Sequence, residues 1–197
     1  MNHLALVKAA SRLRVAKDAL NRLSDCKDYD SFTDLWYVFL TSCKNIYTVL
    51  EQGSKDTPQS RQWFGARKQE RRSDPLLRYA FEARNDDEHG LHPVTELVSQ
   101  AIVIDQPTTG QSTEIIVSCD ARRIIFPDKD KHPRLVISHK RPNVRLVDVR
   151  DRTGVVYSPP TEHKGLILKD ADPLSVGHLL VVYMESLLSQ AAATHKL

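Results

Sequence analysis

Two apolar stripes of helical period, one after the other in the chain, leave few folds open. In residues 3–23, Leu6, Ala9, Leu13, Ala16, Leu20 and Leu23 recur three and four apart, the spacing that lines one face of a helix. A polar link, residues 25–30, follows. The second stripe starts near Ser31, whose hydroxyl can cap a helix with Asp34 three residues on. Phe32, Leu35, Phe39, Cys43, Ile46 and Leu50 form it, Trp36 and Leu40 widen it, and Gly53 closes it. Each stripe must be buried, and a link this short makes the two helices antiparallel neighbours.

Residues 54–60 read as a loop and residues 61–72, RQWFGARKQERR, as a short helix. Arg61, Arg67, Lys68, Arg71 and Arg72 face a single acid there, Glu70. Trp63 and Phe64 stand among them. Basic residues interleaved with aromatics can track a phosphate backbone and stack bases. The plainer expectation is aromatics in the core and arginines on a solvated face. Residues 74–89, DPLLRYAFEARNDDEH, form the best-marked helix. Asp74 is an N-cap and Pro75 occupies the first helical position, where a missing N–H costs nothing. Leu76, Leu77, Ala80 and Ala83 supply a narrow apolar stripe. Gly90 is free to take the left-handed conformation past the last turn, and Pro93 blocks continuation. Residues 93–100 are expected to add one or two helical turns.

From residue 101 to 168 the pattern changes to short β-branched runs: AIVI, EIIVS, RIIF, RLVIS, VRLVDV, VVYS and GLIL. Pro, Gly and Asn–Asp turn signals separate them. They predict an antiparallel sheet of four to six strands. Asp172 and Pro173 repeat the Asp–Pro start, and a last helix runs to about Thr194. The expected fold is mainly α, a four-helix-bundle-like core with a small antiparallel β insertion before the last helix, α+β overall. Residues 1–100 carry the core, 101–170 the insertion, and 171–197 the helix that returns to the core.

Several classes of function are excluded. The formal charge of +3 over 197 residues is too small to argue nucleic-acid binding by itself. Cys26, Cys43 and Cys119 form no CxxC pair, so reduced thiols are expected and no disulfide framework or zinc site. No signal-peptide run opens the chain, and no stretch approaches the ~20 apolar residues of a membrane span. A cytoplasmic protein without a membrane partner is expected. No phosphate-cradling glycine loop or GxSxG elbow occurs, and no cofactor is expected. Metal binding is not expected either. Gly90 and Pro93 break any helix carrying His89 and His92, and Asp128, Asp130 and His132 read as a solvated turn.

The last turn and a half of the 74–89 helix is wholly polar: Arg84, Asn85, Asp86, Asp87, Glu88, His89. Four residues separate Arg84 from His89, and this step of five sets them roughly 140° apart on one helix. Two such helices about a two-fold axis could line one cleft with both pairs. This segment resembles the R-x4-6-H signature of the HEPN superfamily, in its form Arg, then Asn, Asp or His, three residues, then His. The resemblance covers residues 1–100 and 170–197. It implies a helical-bundle fold, a homodimer and a metal-independent endoribonuclease of a toxin–antitoxin or other defence setting. Arg84 and His89 would be the catalytic pair, with Asn85 the polar residue beside them. An antitoxin or regulatory protein is an implied partner. Leu91 stands where one toxin subfamily carries a tyrosine, so regulation through that tyrosine is not implied.

The residue types suit the chemistry. RNA supplies its own nucleophile, the 2′-hydroxyl, and a histidine can move its proton at neutral pH. Arg84 can pair bidentately with phosphate oxygens and stabilise the charge built in the transition state. Arg78, Arg71, Arg72 and Lys68 are candidates for substrate contacts. The substrate expected is single-stranded RNA, whose bases are accessible. A second expectation is a catalytically silent module that binds nucleic acid, nucleotide or protein. Arg84 can pair with Glu88 at i,i+4 or Asp87 at i,i+3 and leave the site shut.

Overall fold

The computed structural model describes residues 1–98, 101–106, 111–116, 136–140, 143–169 and 171–194. The chain divides into two compact units. One holds residues 1–95 and 146–197, and the other residues 96–145. The fold is mainly helical with small antiparallel sheets.

In the first unit, α1 (His3–Ser24) and α2 (Tyr29–Gly53) form the expected hairpin. Its antiparallel sense is fixed where the Asn2 N–H donates to the Gly53 carbonyl at 3.0 Å. Asn2 caps α1, accepting from the N–H groups of Leu4 and Ala5. The buried face of α1 is Ala5, Ala9, Leu13, Ala16, Ala19, Leu20 and Leu23. Ala5 replaces the expected Leu6 at its start, because a Cβ on Gly53 would collide with the Ala5 methyl. The helices meet there at backbone distance, with no room for a longer side chain.

Asp28, not Ser31, caps α2. Its side chain accepts from the Ser31 N–H at 2.8 Å, and this bond holds the carboxyl below the usual carboxylate range. Trp36 and Phe39 stack at 5.3 Å and are fully buried with Leu40, Ile46 and Leu50. A single 3₁₀ turn, Ser54–Asp56, leads to α3 (Pro58–Ser73), capped by the Thr57 hydroxyl. Only Ser60 and Phe64 of α3 are buried, so Trp63 and most of the basic residues stay at least partly in solvent.

Then α4 (Pro75–His89) begins at the Asp74 cap as expected. Tyr79 joins its buried stripe and donates its hydroxyl proton to the Val147 carbonyl at 2.7 Å. Gly90 does not take the left-handed conformation. Its φ of −86° and ψ of 176° are extended. Glycine is required for space instead, since a Cβ there would lie 2.6 Å from the Asp86 carbonyl oxygen and would strike the Asp86 carboxylate. The Asp86 carboxylate in turn accepts from the Arg150 N–H at 2.8 Å. Gly90→Ala should therefore destabilise the fold by about 1–3 kcal/mol, seen as a lower urea midpoint. An unchanged midpoint would mean that the helix end yields without cost.

Residues 93–98 are not helical. Thr95–Val98 is strand β1, paired with β5 (Asn143–Leu146). Pro93 denies the helix an N–H, and Val94 and Thr95 are buried, with the Thr95 carbonyl accepting from the Tyr29 hydroxyl at 2.5 Å. Residues 99 and 100, also expected to be helical, lie outside the described residues.

In the second unit, β2 (Ala101–Gln106) is the middle strand between β3 (Gln111–Ile116) and β4 (Val136–Lys140), antiparallel to both. Ala101 faces Ile116 on one side and Lys140 on the other. An Arg145–Glu96 ion pair joins the two ends of the unit. The predicted strand 123–126, Cys119 and the turn bearing Asp128, Asp130 and His132 lie outside the described residues.

Residues 146–168, expected inside the β insertion at 101–170, belong to the helical unit. They form two hairpins, β6 (Val149–Arg150) with β7 (Val156–Tyr157), and β8 (Glu162–His163) with β9 (Leu166–Ile167). Lys164 at φ 51° and Gly165 at φ 77° make the second turn. Two positive φ values match the twist of a tight hairpin. Last, α5 (Pro173–Ala193) starts at the Asp172 cap and buries Val176, Gly177, Leu180, Tyr183, Met184, Leu187 and Ala191. Gly177 lies so close to Leu20 of α1 that a Cβ would come within 2.5 Å of its methyl. Among the described residues α5 is the one helix long and apolar enough to cross a membrane by length and composition. Its apolar run is interrupted by Glu185.

Candidate functional site

The outer face of α4 carries Arg78, Glu82, Asn85 and His89 at steps of four, three and four residues. This periodicity keeps all four on one stripe of the helix. Two of the three acids of the polar end have partners among the described residues. Asp86 holds the backbone of β6. Asp87 is partly buried, and burial first and Asp86 second push its carboxyl up. Glu88 pairs with Arg84 across one helical turn. Asp86 and Glu88 are thus committed locally.

Arg84 and His89 have different surroundings. The Arg84 side chain is 12 % exposed, and its Nε has no hydrogen-bond partner among the described residues. His89 is exposed at the helix end. Its Nε2 lies 3.1 Å from the guanidinium of Arg152, in the turn between β6 and β7. A guanidinium only donates hydrogen bonds, so Nε2 accepts here, and its lone pair is engaged by Arg152. Among the described residues no hydrogen bond joins Arg84 to His89.

Asn85 links the pair to α2. Its Oδ1 accepts from Lys44 Nζ at 2.7 Å, and its Nδ2 donates to Glu82 at 3.2 Å. Burial lowers the Lys44 pKa, and the positive charges of Arg84, Arg152 and Arg71 lower it further. The Glu82 carboxylate opposes this and raises it, Arg84 is paired with Glu88, and Arg152 is exposed. The turn bearing Arg152 is held by hydrogen bonds to Asp151. The Asp151 carboxylate accepts from the Thr153 hydroxyl and from the N–H groups of Thr153 and Val155. The Thr153 hydroxyl bond is the main reason its pKa falls to about 2.

The predicted substrate-binding residues separate. Arg71, Arg72 and Arg78 line one open cleft of about 510 Å³. Lys68 is held by Glu51 at 3.0 Å and does not line it. No family model, curated protein or solved structure matches this chain. The site therefore stands on its own geometry. Among the described residues no group of three or more His, Cys, Asp or Glu side chains is placed to hold a metal.

Lys44, Arg152 and Tyr157 were not found from the sequence. Lys44 sits among the apolar residues of α2 and reads as its solvated face. Arg152 and Tyr157 read as a turn and a strand. Only the return of residues 146–168 to the helical unit brings Arg152 to a histidine 63 positions away.

Proposed function

We propose that the chain is a metal-independent endoribonuclease of the HEPN type, a four-helix-bundle-like domain that cleaves single-stranded RNA. The observation that carries this reading is the His89 Nε2, accepting a hydrogen bond beside the cationic group of Arg152, Lys44 and Arg84. When the substrate phosphate draws the Arg152 guanidinium to itself, His89 Nε2 is released and takes the proton of the 2′-hydroxyl as its oxygen attacks the adjacent phosphorus. The bond from phosphorus to the 5′-oxygen breaks, and that oxygen leaves with a proton from the acid on the far side. The products are a 2′,3′-cyclic phosphate and a 5′-hydroxyl. Arg152 and Arg84 stabilise the charge on the non-bridging oxygens. Asn85, bridging Lys44 and Glu82, keeps the cations in place. A second protomer, placing its own α4 end across the cleft, would supply the acid. A cytoplasmic toxin or defence role, with an antitoxin or regulatory partner, accompanies this reading.

The test is cleavage of end-labelled single-stranded RNA in EDTA, with product ends mapped and solution mass measured. Cyclic-phosphate ends from a dimer are expected. Intact RNA after incubation with a pure folded dimer would sink the enzyme reading. The Arg84–Glu88 pair favours a second reading, a silent module that binds RNA without cutting it, and that outcome would appear as binding with no product.

A further inference from the structure

The cleft beside the catalytic end of α4 has a composition that simple phosphate binding does not require. It is lined by Arg71, Arg72, Arg78, Phe81, Glu82 and Tyr157. The Arg71 guanidinium lies 3.8 Å from the centre of the Phe81 ring, and that of Arg78 lies 4.4 Å from the Tyr157 ring. Arg78 also donates to the Tyr157 hydroxyl at 2.9 Å, and that hydroxyl donates to Asp151 at 3.0 Å. The Arg71 guanidinium also lies 5.2 Å from the Tyr47 ring, so Arg71 is held between two rings and Arg78 against one. Flat cationic and aromatic surfaces held in this way stack nucleobases. None of the three arginines is in an ion pair among the described residues. Their charge is available to a phosphate.

Glu82 is the one acid in the lining, and a carboxylate only accepts hydrogen bonds. The Asn85 amide occupies part of one carboxylate oxygen, which leaves most of its lone pairs facing the cleft. Among the four RNA bases, guanine alone offers two adjacent donors on its pairing edge, N1–H and the N2 amino group. A carboxylate matches those two donors as a bidentate partner. Seven residues, ~10 Å of helix rise, separate Glu82 from His89 on the same stripe of α4. That distance suits a base close to the scissile bond on the same strand.

We propose that this cleft is a nucleobase subsite that takes an unpaired guanine, read by Glu82 and stacked on the Arg71–Phe81 and Arg78–Tyr157 pairs. It rests on the reading of the α4 end as an RNA site. The experiment is equilibrium binding, by fluorescence anisotropy in EDTA, of labelled five-nucleotide RNAs that differ only in a central G, A, C or U. Each is measured with wild type and with Glu82→Gln, whose fold is checked by circular dichroism. The wild type should favour the G strand by about tenfold or more, the discrimination typical of one bidentate base contact. Glu82→Gln should remove that preference, so that the four strands bind alike. Competition by guanosine monophosphate would mark a free nucleotide as a ligand, and competition only by the G oligonucleotide would mark a strand. Both support the subsite. Equal wild-type affinity for all four strands would overturn it, as would a G preference that survives in Glu82→Gln. G-selective binding without any cleavage would keep the subsite and remove the ribonuclease reading. Cleavage without base preference would do the reverse.

Discussion

His89→Ala should lower the rate of single-stranded RNA cleavage by ~10²–10⁴-fold, the range removed when a positioned general base is lost. The change should fall on kcat more than on RNA affinity, because Arg152, Lys44 and Arg84 stay to bind phosphate. The fold should be almost untouched. His89 is exposed at the last residue of α4, and substitutions at such sites usually move stability by less than ~0.5 kcal/mol. Activity and thermal melting therefore separate cleanly in this variant. Arg84→Ala makes an instructive contrast. Its side chain is mostly buried and paired with Glu88, so its removal would mix a structural loss with any catalytic one. The decisive result is the His89→Ala rate in EDTA. Cleavage at the wild-type rate would remove His89 from the chemistry and with it the motif that suggested the site.

Local signals in this sequence were readable because they act over three or four residues. The Asp–Pro starts at Asp74 and Asp172 place both helices correctly, since a capping carboxylate reaches N–H groups two or three residues ahead. The Ser31 expectation failed by the same rule, because Asp28 lies three residues earlier and its acceptor is as good. Gly90 was recognisable as the helix end but not for its reason. A close approach to Asp86 looks the same in one dimension as a left-handed cap. The apolar faces of α1 and α2 followed from period alone. Residues 93–98 did not, because pairing with residues 143–146 decides their conformation. The site shows the same division. Arg84, Asn85 and His89 are close in the chain, whereas Lys44 and Arg152 reach them from 41 and 63 residues away. Nothing in the local pattern of either distant residue distinguishes it from a solvated charge.

Asp74→Ala should cost about 2–4 kcal/mol, the loss of an N-cap together with buried donors left without an acceptor. That is a large fraction of the ~5–15 kcal/mol that holds a typical domain together. The Asp74 side chain is 5 % exposed and performs two tasks at once. As the cap of α4 it accepts from the Leu77 N–H at 3.0 Å. As the anchor of the β8–β9 hairpin it meets His163 Nδ1 at 3.0 Å and accepts from the Lys164 N–H at 2.8 Å. Removal leaves these groups without their acceptor in a closed site, where an unsatisfied donor costs more than a hydrogen bond gains. Asp74→Asn keeps one acceptor oxygen for the cap and should lose less. The acid response has a definite sign. Burial alone would push the carboxyl up, but the bonds from Leu77, His163 and Lys164 outweigh it and hold the group below its usual value. A carboxyl whose folded pKa is depressed contributes stability that is fully present above its unfolded pKa, ~3.9. That contribution is lost as the pH falls through the folded value. The wild-type urea midpoint should therefore decline as acid is added below about pH 4, and the decline should be shallower in Asp74→Asn. Equal acid slopes in the two proteins would show that Asp74 carries no charge-dependent stability. The hairpin would then be held by the packing of Tyr183 against His163, whose rings meet edge-on at 6.2 Å.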